Sequence, residues 1–187
     1  SRQLADITEV TYPPNVLLPY LTIGINEIIR LKPEAYPTIK NLDLVAGAAQ
    51  SLLVTDISLI DVICNMGSDG ATPGKAVTSL DKEQMDQILP GWLTFDTSVV
   101  VSFIIVDLKT PKTFYVFPPQ PNPSTQKVKA VVSVLPGPII TFDDDFPLDD
   151  SYKPTIIDYM IYRALAEETT VPNALNKSGM FWQKFLQ

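Results

Sequence analysis

Lys127-Val128-Lys129-Ala130-Val131-Val132-Ser133-Val134-Leu135 carries the cleanest alternation in the chain. Val128, Ala130, Val132 and Val134 fall on one side of an extended backbone, and Lys127, Lys129 and Ser133 on the other. Successive side chains of a strand point to opposite faces, so the spacing predicts a half-buried antiparallel strand. Going back along the chain, 114–117 reads as a strand that enters the block Pro118-Pro119-Gln120-Pro121-Asn122-Pro123, and 99–106 as a β-branched strand. Residues 57–63 read as a buried strand. Leu42, Leu44 and Ala46 alternate with Asp43 and Val45, Gly47-Ala48-Ala49-Gln50 offers a turn, and 51–54 returns, so 42–54 reads as a β-hairpin. Proline supports short strands and rigid turns here. It makes up 17 of 187 residues, and eight of them lie between Pro111 and Pro147. A short helix is expected at Lys82–Ile88, with Asp81 as cap and Pro90-Gly91 as stop.

The period changes at both ends. After Pro13-Pro14-Asn15, with Asn15 read as N-cap and Pro19 near the first turn, Leu17, Leu18, Leu21, Ile25, Ile28 and Ile29 recur at helical spacing as far as Leu31. Pro33 and Pro37 end that helix. Helix returns near Ser151, where Tyr152, Ile156, Tyr159, Met160, Arg163 and Ala164 share a face. A last helix follows Val171-Pro172, carrying Leu175, Phe181, Trp182 and Phe185. The expected fold is α+β and a single compact unit. Residues 1–38 and 150–187 would form a helical subdomain, with the helices at about 15–31 and 151–168 packed together, and 39–149 an antiparallel β-rich subdomain.

Composition removes several function classes. Lys and Arg number 14 against 21 Asp and Glu, a net charge of −7, which argues against binding nucleic acid by phosphate neutralisation. There is no His, so His-based acid–base catalysis and His-ligated metals are excluded. The single Cys64 rules out an intrachain disulfide and Cys-cluster metal sites, and reads as a small buried hydrophobe. No apolar run approaches the roughly 18–20 residues that span a bilayer. No signal-peptide pattern opens the chain, and the start at Ser1 suggests that native residues precede it.

The remaining constellations are weak as chemistry. The stretch 67–75 is not a phosphate loop, because Gly70 precedes Gly74 by four positions and Ala76 follows Lys75. Gly67, Gly70 and Gly74 read instead as points of glycine-only backbone in an assembly loop. Asp143, Asp144 and Asp145, followed by Asp149 and Asp150, lack EF-hand spacing and read as an acidic surface. Residues 143–168 hold eight acids against Lys153 and Arg163, so most of the net charge lies there. Arg163 is expected to pair with a carboxylate such as Glu27 or Asp158. Asn176-Lys177-Ser178 matches a glycosylation sequon with nothing to indicate secretion. Phe181, Trp182, Phe185 and Leu186 are too apolar for a free tail; they would cover the helical pair or dock on a partner.

Taken in order, several segments resemble one family, the head-to-tail adaptor (connector) proteins of short-tailed bacteriophages. They are Leu17-Leu18-Pro19-Tyr20-Leu21 through Ile28-Ile29-Arg30-Leu31-Lys32-Pro33-Glu34-Ala35, Leu44-Val45-Ala46-Gly47-Ala48-Ala49-Gln50, and Asn65-Met66-Gly67-Ser68-Asp69-Gly70-Ala71-Thr72-Pro73-Gly74-Lys75. Phe114-Tyr115-Val116-Phe117-Pro118-Pro119, Leu148-Asp149-Asp150-Ser151-Tyr152 and Asp158-Tyr159-Met160-Ile161-Tyr162-Arg163-Ala164 continue it. The resemblance implies a non-enzymatic virion protein without cofactor or metal. It implies a ring, usually of twelve copies, between the portal protein and the tail nozzle protein. DNA would pass through without sequence-specific binding, and no membrane is involved. The place implied is the virion neck, after synthesis in the host cytoplasm. Gly67, Gly70, Gly74, Phe181, Trp182, Phe185 and Leu186 become candidate subunit or portal contacts, and Asp143, Asp144 and Asp145 a candidate channel or loop surface. Another neck or tail-tube component is the alternative. The sequence departs from the family at Thr169-Thr170-Val171-Pro172, which breaks the C-terminal helix.

Overall fold

The computed structural model describes residues 13–107, 109–141, 143–167 and 173–186. They fall into two compact units, 1–35 with 136–187, and 36–135. The architecture is α+β.

The second unit holds seven strands: β1 Pro37–Asp43, β2 Gly47–Ser51, β3 Asp56–Gly67, β4 Thr78–Asp81, β5 Phe103–Val106, β6 Thr113–Gln120 and β7 Lys127–Val134. One sheet has the order β1-β7-β3 and the other β2-β6-β5-β4. The alternating stretch is thus the central strand of the first sheet, antiparallel to both neighbours. Its Val128, Ala130 and Val132 are fully buried, in one cluster with Leu42 and Val62 of their own sheet and Ile104, Phe114 and Val116 of the other. The second sheet is covered on its other face as well. Helix α2, Lys82–Ile88, and the 3-10 turn Trp92–Thr94 bring Met85 and Trp92 against Ile105, Tyr115 and Phe117. Trp92 Nε1 donates to Asp86 at 2.8 Å, which satisfies the polar end of a buried indole. Burial on both faces explains the unbroken apolar run Phe103-Ile104-Ile105-Val106. β5 pairs in parallel with β4, an exception to the expected antiparallel body, because α2 carries the chain across between them.

The hairpin expected over 42–54 does not form. Leu42 lies in β1, paired with β7, while Gly47–Ser51 is itself a strand paired with β6 in the other sheet. Gln50 stabilises this crossing. Its Oε1 accepts from Val45 N at 2.8 Å, and its Nε2 donates to Val45 O at 2.8 Å and Gly47 O at 3.2 Å. A side chain therefore takes the backbone partners that a return strand would have supplied. The strand expected over 99–106 begins only at Phe103. Before it, Val99 and Val100 bulge outward around Ser98 Oγ, which accepts from Val100 N at 3.0 Å and donates to Val100 O at 3.1 Å. Strand β6 continues through Pro118-Pro119. The prolines need only accept here, and Ser98 N donates to Pro119 O at 2.9 Å.

The first unit consists of α1 Pro14–Leu31, α3 Lys153–Glu167 and α4 Ala174–Phe185, with α1 and α4 each packed on α3. Pro13, not Asn15, is the N-cap, and Pro14 begins the helix, where a missing N–H costs nothing. Pro19 lies inside α1, past the first turn; it and Asn15, whose carbonyl it leaves without a donor, are exposed to water. Gly24 is the point of close approach. A Cβ there would lie 2.7 Å from Tyr159 Cδ1 on α3. One turn earlier, Tyr20 OH donates to Glu167 at 2.5 Å, and Arg163 pairs with the same carboxylate at 3.0 Å while lying over the Tyr20 ring. Arg163 thus pairs with Glu167 rather than Glu27 or Asp158, because the i, i+4 spacing on α3 brings the two together.

Burial first, and then the Glu167 hydrogen bond, push the Tyr20 hydroxyl up to about 12. The fold favours the neutral phenol, so this contribution is fully present below the ordinary tyrosine value of about 10 and is lost as pH rises through about 12. Spectrophotometric titration should show a tyrosine ionising near that value. Tyr20→Phe should remove the step and cost about 1–3 kcal/mol at neutral pH. An identical titration curve for the variant would refute the assignment.

Candidate functional site

The glycine loop grows out of β3, which runs farther than the sequence suggests and includes Asn65, Met66 and Gly67. Asn65 is buried, and every polar atom of its amide is engaged. Nδ2 donates to Lys75 O at 2.9 Å and Val101 O at 2.8 Å, and Oδ1 accepts from Val101 N at 2.8 Å. Its backbone N donates to Lys75 O at 2.9 Å, and its carbonyl accepts from Gly74 N at 2.7 Å. Both ends of the loop are thereby tied to one residue, while 68, 69 and 71–75 stay exposed. Gly67 and Gly70 have φ of +62° and +72°, a region costly to side chains. Gly74 does not; what it requires is space, since a Cβ would come within 3.3 Å of Asn65 O. Asp69 accepts from Ala71 N at 3.0 Å, and that bond holds its carboxyl below the usual range. Asn41 Nδ2 donates to Gly70 O at 2.8 Å. The reading of the sequence missed Asn65. The available signal was an amide in the middle of an apolar strand, where Asn is depleted unless its polar atoms are matched.

On α4 the aromatic group divides. Phe185 is buried with its ring 5.0 Å from Tyr159. Trp182 is half-buried, 4.9 Å from the Tyr162 ring and stacked on Phe185 at 5.4 Å. Phe181 is half-buried beneath Lys184, and Leu186 is half exposed. Leu175 and Met180 stand out further, at 77% and 65%. Ser178 of the sequon is buried and donates to Tyr162 O at 3.1 Å, joining α4 to α3.

Asp143, Asp144 and Asp145 are all exposed. Asp144 shapes its own turn, accepting from Ile140 N at 2.7 Å, Thr141 N at 3.0 Å and Thr141 Oγ1 at 3.0 Å. The Thr141 amide first, then that of Ile140, keep its carboxyl below the ordinary value. Among the described residues no group of three or more acids or Cys is arranged to hold a metal. The segment before this turn follows α1, with Ile139 N donating to Thr22 Oγ1 at 3.2 Å. Between them lies an open apolar groove of about 470 Å³, lined chiefly by Leu18, Pro19, Ile23, Pro138, Ile139 and Ile140.

A family model described as SU10 adaptor protein matches residues 1–187. No curated protein matches the chain. No helix among the described residues is long and apolar enough to cross a membrane.

Two pairs of substitutions test these features. Gly70→Val must place a β-branched residue at positive φ against Lys127 and Asn41, and should cost about 2–4 kcal/mol. Gly47→Ala, at φ +93° with nothing within 4 Å of the new Cβ, should cost only about 1 kcal/mol. Equal denaturation midpoints would contradict this. Trp182→Ala should lower stability by about 2 kcal/mol and Phe185→Ala by more, since only the second empties a buried site; the reverse order would contradict the division of α4.

Proposed function

The chain belongs to the SU10 adaptor protein family of phage structural proteins, and from that membership we propose that it forms a ring in the virion neck, between portal and tail nozzle, through which DNA passes. The match along residues 1–187 is the observation that carries the reading. The surface supports it physically. Val54 is 92% exposed and Ile140 73%, and Leu53, Leu93, Phe95 and Val99 are also open to solvent. Apolar side chains left exposed in such number suit a subunit whose burial is completed by neighbours. Charge agrees with a conduit. With 21 acids against 14 bases, the protein offers little that would hold DNA by counterion release. The exposed Asp143, Asp144 and Asp145 suit a wall along which a polyanion slides, and the outward residues of α4 suit a contact with the portal.

The isolated chain should self-associate weakly and close into a ring, of twelve copies, when portal is present. Native mass spectrometry of the chain with and without portal reads this. Hexameric stacks would favour a tail-tube component, and a tight dimer indifferent to portal would overturn the reading.

A further inference from the structure

We propose that neighbouring copies join by inserting the Leu53-Val54 turn of one into the apolar groove beside α1 of the next. The inference rests on the ring reading and names the contact that would close it. Turns are normally built from Gly, Asn, Asp, Pro and Ser, yet this one presents two aliphatic side chains, 60% and 92% exposed. Its backbone is held in place. Asp56 N donates to Leu53 O at 3.0 Å, Lys112 Nζ to Val54 O at 3.1 Å, and the buried Leu52 donates its N–H to Lys112 O at 2.9 Å. A fixed turn loses little freedom on docking, so its apolar area counts towards affinity.

The groove is the complement of that turn. Pro19 and Pro138 have no N–H, Ile139 N is taken by Thr22, and Ile140 N by Asp144. These four wall residues offer no free backbone donor, and an apolar occupant leaves none unmet. Charge selects the occupant. Asp143, Asp144 and Asp145 come three to five residues after the groove residue Ile140 and are exposed, while the turn carries the Lys112 ammonium against its own Val54 carbonyl. A basic-edged apolar knob and an acid-edged apolar groove on the same chain fit a heterologous contact, which forms a ring when its rotation closes.

Cysteine pairing reads the contact directly, since the native Cys64 is buried. In rings assembled with portal, V54C/I140C should oxidise to a covalent ladder ending at the full ring, and each single variant should remain monomeric on non-reducing gels. V54D should leave the monomer's melting temperature unchanged, because Val54 packs on nothing, and weaken assembly about tenfold by placing a charge in an apolar, acid-edged site. V54D/I140K should restore assembly. Rings that form without the ladder, or that tolerate V54D at wild-type levels, overturn this contact and leave the ring reading standing. If the wild-type chain forms no ring, both fail.

Discussion

The amide of Asn65 ties β3 to Lys75 on one side and to Val101 on the other with three side-chain hydrogen bonds. Most of what is distinctive in the strand-rich unit depends on it. A buried amide without partners would cost several kcal/mol, so the surrounding backbone is constrained to come to it. Lys75 and Gly74 return alongside β3 and close the glycine loop at its base. Val101 is drawn into the core with no exposure at all, and the chain just before it must bulge, putting Val99 and Val100 in solvent. A single polar residue in the interior thus sets the position of two exposed features.

The same pattern recurs in smaller form. Gln50 governs the crossing from one sheet to the other, Ser98 shapes the valine bulge, and Asp144 shapes the acidic turn. In each case a side chain bonds backbone that regular pairing leaves open, which permits an irregular surface at low cost. Irregular but fixed surfaces suit a subunit that must fit dissimilar neighbours. The helical unit reaches rigidity differently, through the close approach at Gly24 and the Tyr20–Glu167–Arg163 cluster.

The elements legible in the sequence are those set by periodicity and capping. The alternation at 127–135 marks β7, the apolar stripe marks α1, and the bounds of Lys82–Ile88 agree to the residue because Asp81 flags its start and Pro90-Gly91 its end. What escaped depends on long-range polar bonding. The segment Gly47-Ala48-Ala49-Gln50 has the composition of a turn, and only the Gln50 bonds reveal a strand. Val99 and Val100 look like a continuation of β5, until the demands of Asn65 and Ser98 are known. At the candidate site, the positive φ of Gly67 and Gly70 could be read from composition, whereas the tight fit of Gly74 against Asn65 O could not. For Arg163, a carboxylate partner was foreseeable but not its identity, since the pairing with Glu167 shares an acceptor with Tyr20 147 residues away in the chain.

Amide hydrogen exchange on the intact chain tests the central role of Asn65 most directly. If its amide fixes the loop and the bulge, the N–H groups of Val101 and Gly74 should exchange as slowly as those of β7 in the core, although neither lies in a regular strand. Exchange of those two amides at the rate of the exposed Ser68 would contradict the account.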